Sequence, residues 1–183
     1  MRHAPDARPR RRPRRAAGGG CGSFYEHYIR GPDGVPPCHA RTYGDAHLAA
    51  HPDQIVTRFH LTRSDYDDGG SARSFAVTFG FALKDRQGAF TGHASCRDRG
   101  DGATCLVEGD GGAFVLAPRP DGILVSVEGR LEVEGTDGFS PDLHDSDDRE
   151  FRLYVAGPEA CLAGTEDDGG ERDPLAPSLE RAG

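Results

Sequence analysis

What this chain lacks narrows its class before any motif is read. No apolar run approaches the ~20 residues a membrane-spanning helix needs. No Cys-x-x-Cys occurs, so neither a zinc ribbon nor a thioredoxin-type redox site is indicated. Lys84 is the only lysine. Apolar residues make up 36%, whereas glycines number 26 and prolines 13. That balance favours many turns over long helices. An arginine-rich start is present, but the apolar stretch of a secretory signal is missing from the chain as given.

The formal charge of −8 is unevenly spread. Residues 1–20 carry +6, residues 162–183 carry −4, and the body between them carries −10. An acidic body argues against nucleic acid as the main partner, because phosphate binding needs clustered Lys and Arg. The arginine-rich run 8–15 reads as a solvated tail. Residues 1–37 are expected to form a disordered, basic, Gly- and Pro-rich tail in which Phe24, Tyr25, Tyr28 and Ile29 make at most one sticky turn. Residues 38–161 form the β-rich domain, and 162–183 a disordered acidic tail.

The five cysteines are Cys21, Cys38, Cys96, Cys105 and Cys161. Such usage fits disulfides and an oxidising compartment, periplasmic or secreted; a cytoplasmic location is the alternative. Cys96 and Cys105 flank a turn. With Gly100-Asp101 as its two central residues, Arg99 closes the hairpin against Gly102, and counting back places Cys96 opposite Cys105 in a non-hydrogen-bonded pair. A turn at Asp101-Gly102 would instead oppose Cys96 to Val107. Pairing Cys38 with Cys161 would tie the start of the domain to its end, contributing about 5 kcal/mol by loop entropy, against ~2.7 for the hairpin bridge. Fifteen pairings are possible with one cysteine left free, so this second bridge is a hypothesis.

Alternating stretches read as strands over 54–63, 75–83, 88–97, 103–108, 113–117, 123–128, 130–134 and 150–155. In the first, Ile55, Thr57, Phe59 and Leu61 share a face; in the second, Phe75, Val77, Phe79, Phe81 and Leu83 do. The opposite face of the second strand holds only Ala76, Thr78, Gly80 and Ala82, which suits close packing better than a ligand. A short helix precedes the first of these strands, with Asp45 as N-cap and Pro52 as its end. The fold class is therefore all-β, with about eight short antiparallel strands. An up-and-down barrel of the lipocalin/avidin kind is preferred over a β-sandwich, because local turns join most neighbours.

Candidate chemistry is thin. His47 and His51 lie one helical turn apart, a zinc-ligand spacing, but no third ligand is nominated. The hairpin register sets His93 across from Glu108, as an acid–base pair or, more simply, a cross-strand ion pair. Asp142, Asp145, Asp147, Asp148 and Glu150 crowd one loop without the EF-hand spacing, so a solvated acidic loop is expected. Cys38 beside His39 suggests a thiol enzyme only weakly, since adjacent residues of an extended chain point to opposite sides. No cofactor is indicated.

Tyr43 with His47-Leu48, the run His51 to Val56, the pair Cys96 and Cys105, the stretch Glu108 to Phe114, and Asp148 leading to Phe151-Arg152-Leu153 together resemble a group of small, exported, β-rich bacterial proteins with no known activity. The resemblance spans about two-thirds of the chain. It implies an export signal, which would reconcile the cysteines with the missing signal here. Members often carry Cys where this chain has Gly109, so no role of that thiol carries over. The functional expectation is a non-catalytic exported β-domain that binds a small ligand or a protein partner. The alternative is a metal-binding protein or metal-dependent hydrolase using His47, His51 and nearby carboxylates.

Overall fold

The structure, a computed structural model, describes residues 23–66, 71, 73–135 and 138–162. Cys21, the arginine-rich run and nearly all of the acidic tail lie outside them. Eight strands close into an antiparallel barrel: β1 (Cys38–Thr42), β2 (Val56–Arg63), β3 (Ser74–Leu83), β4 (Phe90–Asp98), β5 (Ala103–Val107), β6 (Gly112–Arg119), β7 (Gly122–Leu131) and β10 (Glu150–Ala156). Each strand pairs with its neighbour in sequence, and β1 pairs with β10 to close the ring, so the topology is up-and-down. The excursion between β7 and β10 carries a small separate hairpin, β8 (Glu134–Gly135) with β9 (Gly138–Phe139). Helix α1 (Asp45–Ala50) sits between β1 and β2, and α2 (Glu159–Leu162) follows β10.

Alternation decides what fills the barrel. Phe59, Phe79, Phe81, Phe114 and Phe151 are all at most 1% exposed, as are Leu61, Leu116, Ile123 and Leu153. Phe59 and Phe151 stack at 4.3 Å between ring centroids, and Phe79 meets Phe114 edge-on at 5.2 Å. Each such ring contributes about 2 kcal/mol by leaving water. Phe75, Val77, Phe79, Phe81 and Leu83 of β3 all face this core. On the small outer face of β3, Gly80 serves packing: a Cβ there would lie 2.6 Å from the His60 ring, which occupies that space.

The hairpin has the expected register. Cys96 opposes Cys105, Arg97 opposes Thr104 and Asp98 opposes Ala103, while the Arg99 amide donates to Gly102 O at 2.8 Å. Gly100 has φ 92°, which a side chain would strain. Both bridges are present, Cys96–Cys105 inside the barrel and Cys38–Cys161 pinning α2 to the outside of β1.

Several local expectations need correction. The packed body does not begin at Cys38. Phe24, Tyr25 and Ile29 are 1–4% exposed, and Tyr25 meets Phe75 at 5.2 Å, so the helical segment Tyr25–Arg30 belongs to the core. Strand β1 shows no strand pattern in the sequence, whereas 123–128 and the first two residues of 130–134 belong to one strand, β7, which ends at Leu131. Gly129, at φ 81°, marks a bulge in it rather than a break. In β2 a register shift between Val56 and Arg58 reverses the phase, so Val56 is buried in place of Ile55. Gly44, not Asp45, is the N-cap of α1.

Candidate functional site

The two mouths of the barrel differ. One holds the β4–β5 and β6–β7 turns, the segment Tyr25–Arg30 and α2. There His39, fully buried, donates from Nε2 to the Tyr28 carbonyl at 2.7 Å, and its Nδ1 has no partner. Burial holds this imidazole below its ordinary pKa. Cys38 is bridged to Cys161, and His39 is engaged elsewhere, so the thiol-enzyme pairing has no free thiol. Arg58 reaches the Ala160 carbonyl and further ties α2 down.

The opposite mouth carries the longer connections. Residues 132–135 run along its rim. The Glu132 amide donates to Gly111 O at 3.0 Å, and Val133 exchanges hydrogen bonds with Ser140. Gly135 is required there, because a Cβ would sit 2.6 Å from the Phe90 ring. Two aspartates of the supposedly solvated loop hold this arrangement. Asp142 Oδ1 accepts the amides of Leu131 and His144 at 2.9 and 3.0 Å. Asp148, 2% exposed, accepts the Ile55 amide at 2.7 Å, the Val56 amide at 3.2 Å and the Ser146 hydroxyl at 2.9 Å. Burial pushes its carboxyl up, against those hydrogen bonds. Sequence reading missed both roles. The one available signal was the run of aspartates beside serine, a residue mix that also makes turns.

Between this rim and β4 lies a cleft of about 630 Å³. Val107 and Val133, both nearly buried, form its apolar part, and Phe139, 59% exposed, stands at its edge. Glu108, Asp110, Glu132 and Glu134 line it against Arg130, which is already bound to Glu132 at 2.5 Å. His93 and Glu108 both line the cleft, and the Glu108 amide donates to His93 O at 3.0 Å. Their side chains form no ion pair. His93 Nδ1 shares a hydrogen bond with Thr78 Oγ1 at 3.1 Å, and Tyr66 meets its ring edge-on at 5.3 Å.

The two candidate metal ligands do lie together, but as a stack. His47 and His51 rings are 4.5 Å apart and Tyr43 continues the column at 4.9 Å. His47 Nε2 donates to Gln54 Oε1 at 3.0 Å, and the Gln54 amide donates to Val56 O. Among the described residues, no three His, Cys, Asp or Glu side chains gather as a metal-holding group. No helix of the described residues is long and apolar enough to cross a membrane. In comparisons with known proteins, no family model, no curated protein and no solved structure matches this chain.

Proposed function

We propose that this chain is a non-catalytic, exported β-domain that binds a protein partner at the cleft between β4 and the rim formed by 132–135 and 138–140. The observation that carries this reading is the filled barrel. Ligand-binding barrels keep an interior cavity, and five buried phenylalanines occupy the corresponding space here. Recognition then falls to the outside, where this cleft combines depth, apolar surface and an exposed aromatic. Two disulfides are consistent with an oxidising compartment and motivate the export part of the reading.

The test has two arms. An apolar fluorophore such as cis-parinaric acid is titrated into the native protein, and no saturable binding is expected. Stoichiometric binding would restore the small-ligand version. A photo-cross-linking residue is then placed at Phe139, with a control at Asp33 beside the other mouth. In the producing cells, one dominant adduct is expected from position 139 and none from 33. Equal or absent adducts would overturn the assignment.

A further inference from the structure

The cleft also carries information about what it takes. The carboxylates of Glu108, Asp110 and Glu134 are exposed around it and have no hydrogen bond or close ion pair among the described residues, in contrast to Glu132 with Arg130, Asp121 with Arg152, and Glu26 with Arg30, although Asp110 also lies within the field of Arg130. Among the described residues the carboxylates do not form a metal-holding group, and Val107, Val133 and Phe139 give the same cleft apolar surface. A hydrated metal ion would leave that apolar surface unused. A ligand that satisfies both surfaces must present cationic groups at intervals and aliphatic groups between them. An extended peptide does this, because successive side chains point to opposite sides. Arginine suits the site better than lysine: its guanidinium accommodates carboxylates in paired hydrogen bonds and stacks on an exposed ring such as Phe139.

We infer that the cleft between β4 and the rim formed by 132–135 and 138–140 receives an extended, arginine-bearing peptide segment of a partner protein, with arginines on Glu108, Asp110 and Glu134 and aliphatic side chains on Val107 and Val133. This rests on the reading of the cleft as the docking surface and names the chemistry of what docks. The net −10 of the chain body adds a long-range attraction of the same sign.

The test uses the full chain and a fluorescein-labelled octapeptide of alternating arginine and leucine, followed by anisotropy at low salt. A second peptide replaces arginine with citrulline, which keeps the shape and removes the charge. Binding of the arginine peptide is expected, about tenfold or more weaker with citrulline. The triple variant Glu108→Gln, Asp110→Asn, Glu134→Gln is expected to lose about tenfold as well, whereas Asp33→Asn with Glu159→Gln, at the other mouth, leaves affinity unchanged. Equal binding of the two peptides, no binding at all, or equal loss in both variants would overturn the inference. Concentration-dependent self-association abolished by the triple variant would do so too, by naming a second copy as the occupant. If the cross-link from position 139 succeeds while the arginine peptide fails, the docking surface stands and its arginine chemistry falls.

Discussion

Acid should weaken this barrel through His60. The ring lies on the outer face of β2, 3% exposed, pressed over Gly80. Burial first, and the nearby Arg58 charge second, lower its pKa from 6.5 to about 4. An unfolded chain takes the proton near pH 6.5, and the folded chain not until near pH 4. Over that interval the unfolded state binds more protons, so the stability present above pH 6.5 is lost as pH falls toward 4. At ~1.36 kcal/mol per pKa unit the loss is about 3 kcal/mol. His39, also lowered by burial, adds in the same direction. Asp148, whose carboxyl is raised, acts oppositely: its contribution is fullest below the unfolded carboxylate pKa and is lost as pH rises through the folded one. Urea unfolding at a series of pH values between 7.5 and 4 measures the slope. His60→Gln should flatten it by about 1 kcal/mol per pH unit. A direct check is the NMR titration of the His60 ring, expected to have its inflection well below pH 6. An inflection near 6.5, or superimposable slopes for wild type and variant, would refute the argument.

Asp148→Ala leaves the Ile55 and Val56 amides without their acceptor. A loss of about 3 kcal/mol is expected, read as a fall in Tm of roughly 6–12 °C, with Asp148→Asn milder; a change under ~1 kcal/mol would show that the carboxylate does not latch the loop. Replacing Cys38 and Cys161 by serine opens a loop with a sequence separation of 123. It should cost up to about 5 kcal/mol in urea unfolding, and more than removal of the hairpin bridge, whose separation is 9. The reverse order would contradict the loop-entropy account. Gly135→Val drives a side chain into the Phe90 ring. It should cost about 1–3 kcal/mol, and weaken binding at the cleft by displacing Val133; unchanged thermal stability would contradict the close approach.

The barrel was legible because its strands obey a period of two and its turns are spelled by glycine and aspartate. The β4–β5 hairpin was read to the residue, since one turn and two cysteines demand the same pairing. What failed shares a cause: each case depends on contacts distant in sequence. Strand β1, Cys-His-Ala-Arg-Thr, shows no apolar alternation, because His39 is buried by bonding to Tyr28 and Cys38 by its bridge to Cys161. The phase of β2 flips at a bulge that Asp148 holds from 92 residues away. Phe24, Tyr25 and Ile29 sit amid glycine and proline, and only the open mouth beside Phe75 gives them something to cover. The cleft was half legible. His93 and Glu108 were placed opposite each other correctly, but Phe139 and Glu134 join them through the β8–β9 hairpin, whose two-residue strands are too short to show alternation.

That division bears on where recognition can occur. At the mouth carrying the N-terminal segment, every device closes: Tyr25–Arg30 packs on Phe75, His39 bonds its carbonyl, and the Cys38–Cys161 bridge holds α2. At the other mouth, buried Asp148 and half-buried Asp142 accept backbone amides and hold the rim in place, while the carboxylates of Glu108 and Glu134 face outward without a hydrogen bond or ion pair among the described residues. The latch carboxylates accept backbone amides, whereas those of Glu108, Asp110 and Glu134 around the cleft are exposed and accept no hydrogen bond among the described residues. A surface held rigid from behind and left unpaired in front loses little conformational entropy when a partner docks, which is the condition under which a modest cleft can bind usefully. Loosening the latch should therefore weaken binding without touching the cleft. Asp142→Ala, which frees the Leu131 and His144 amides, is the variant that separates these two layers. A fall in peptide affinity with the cleft carboxylates intact is the expected outcome, and unchanged affinity at unchanged fold would refute the preorganisation argument.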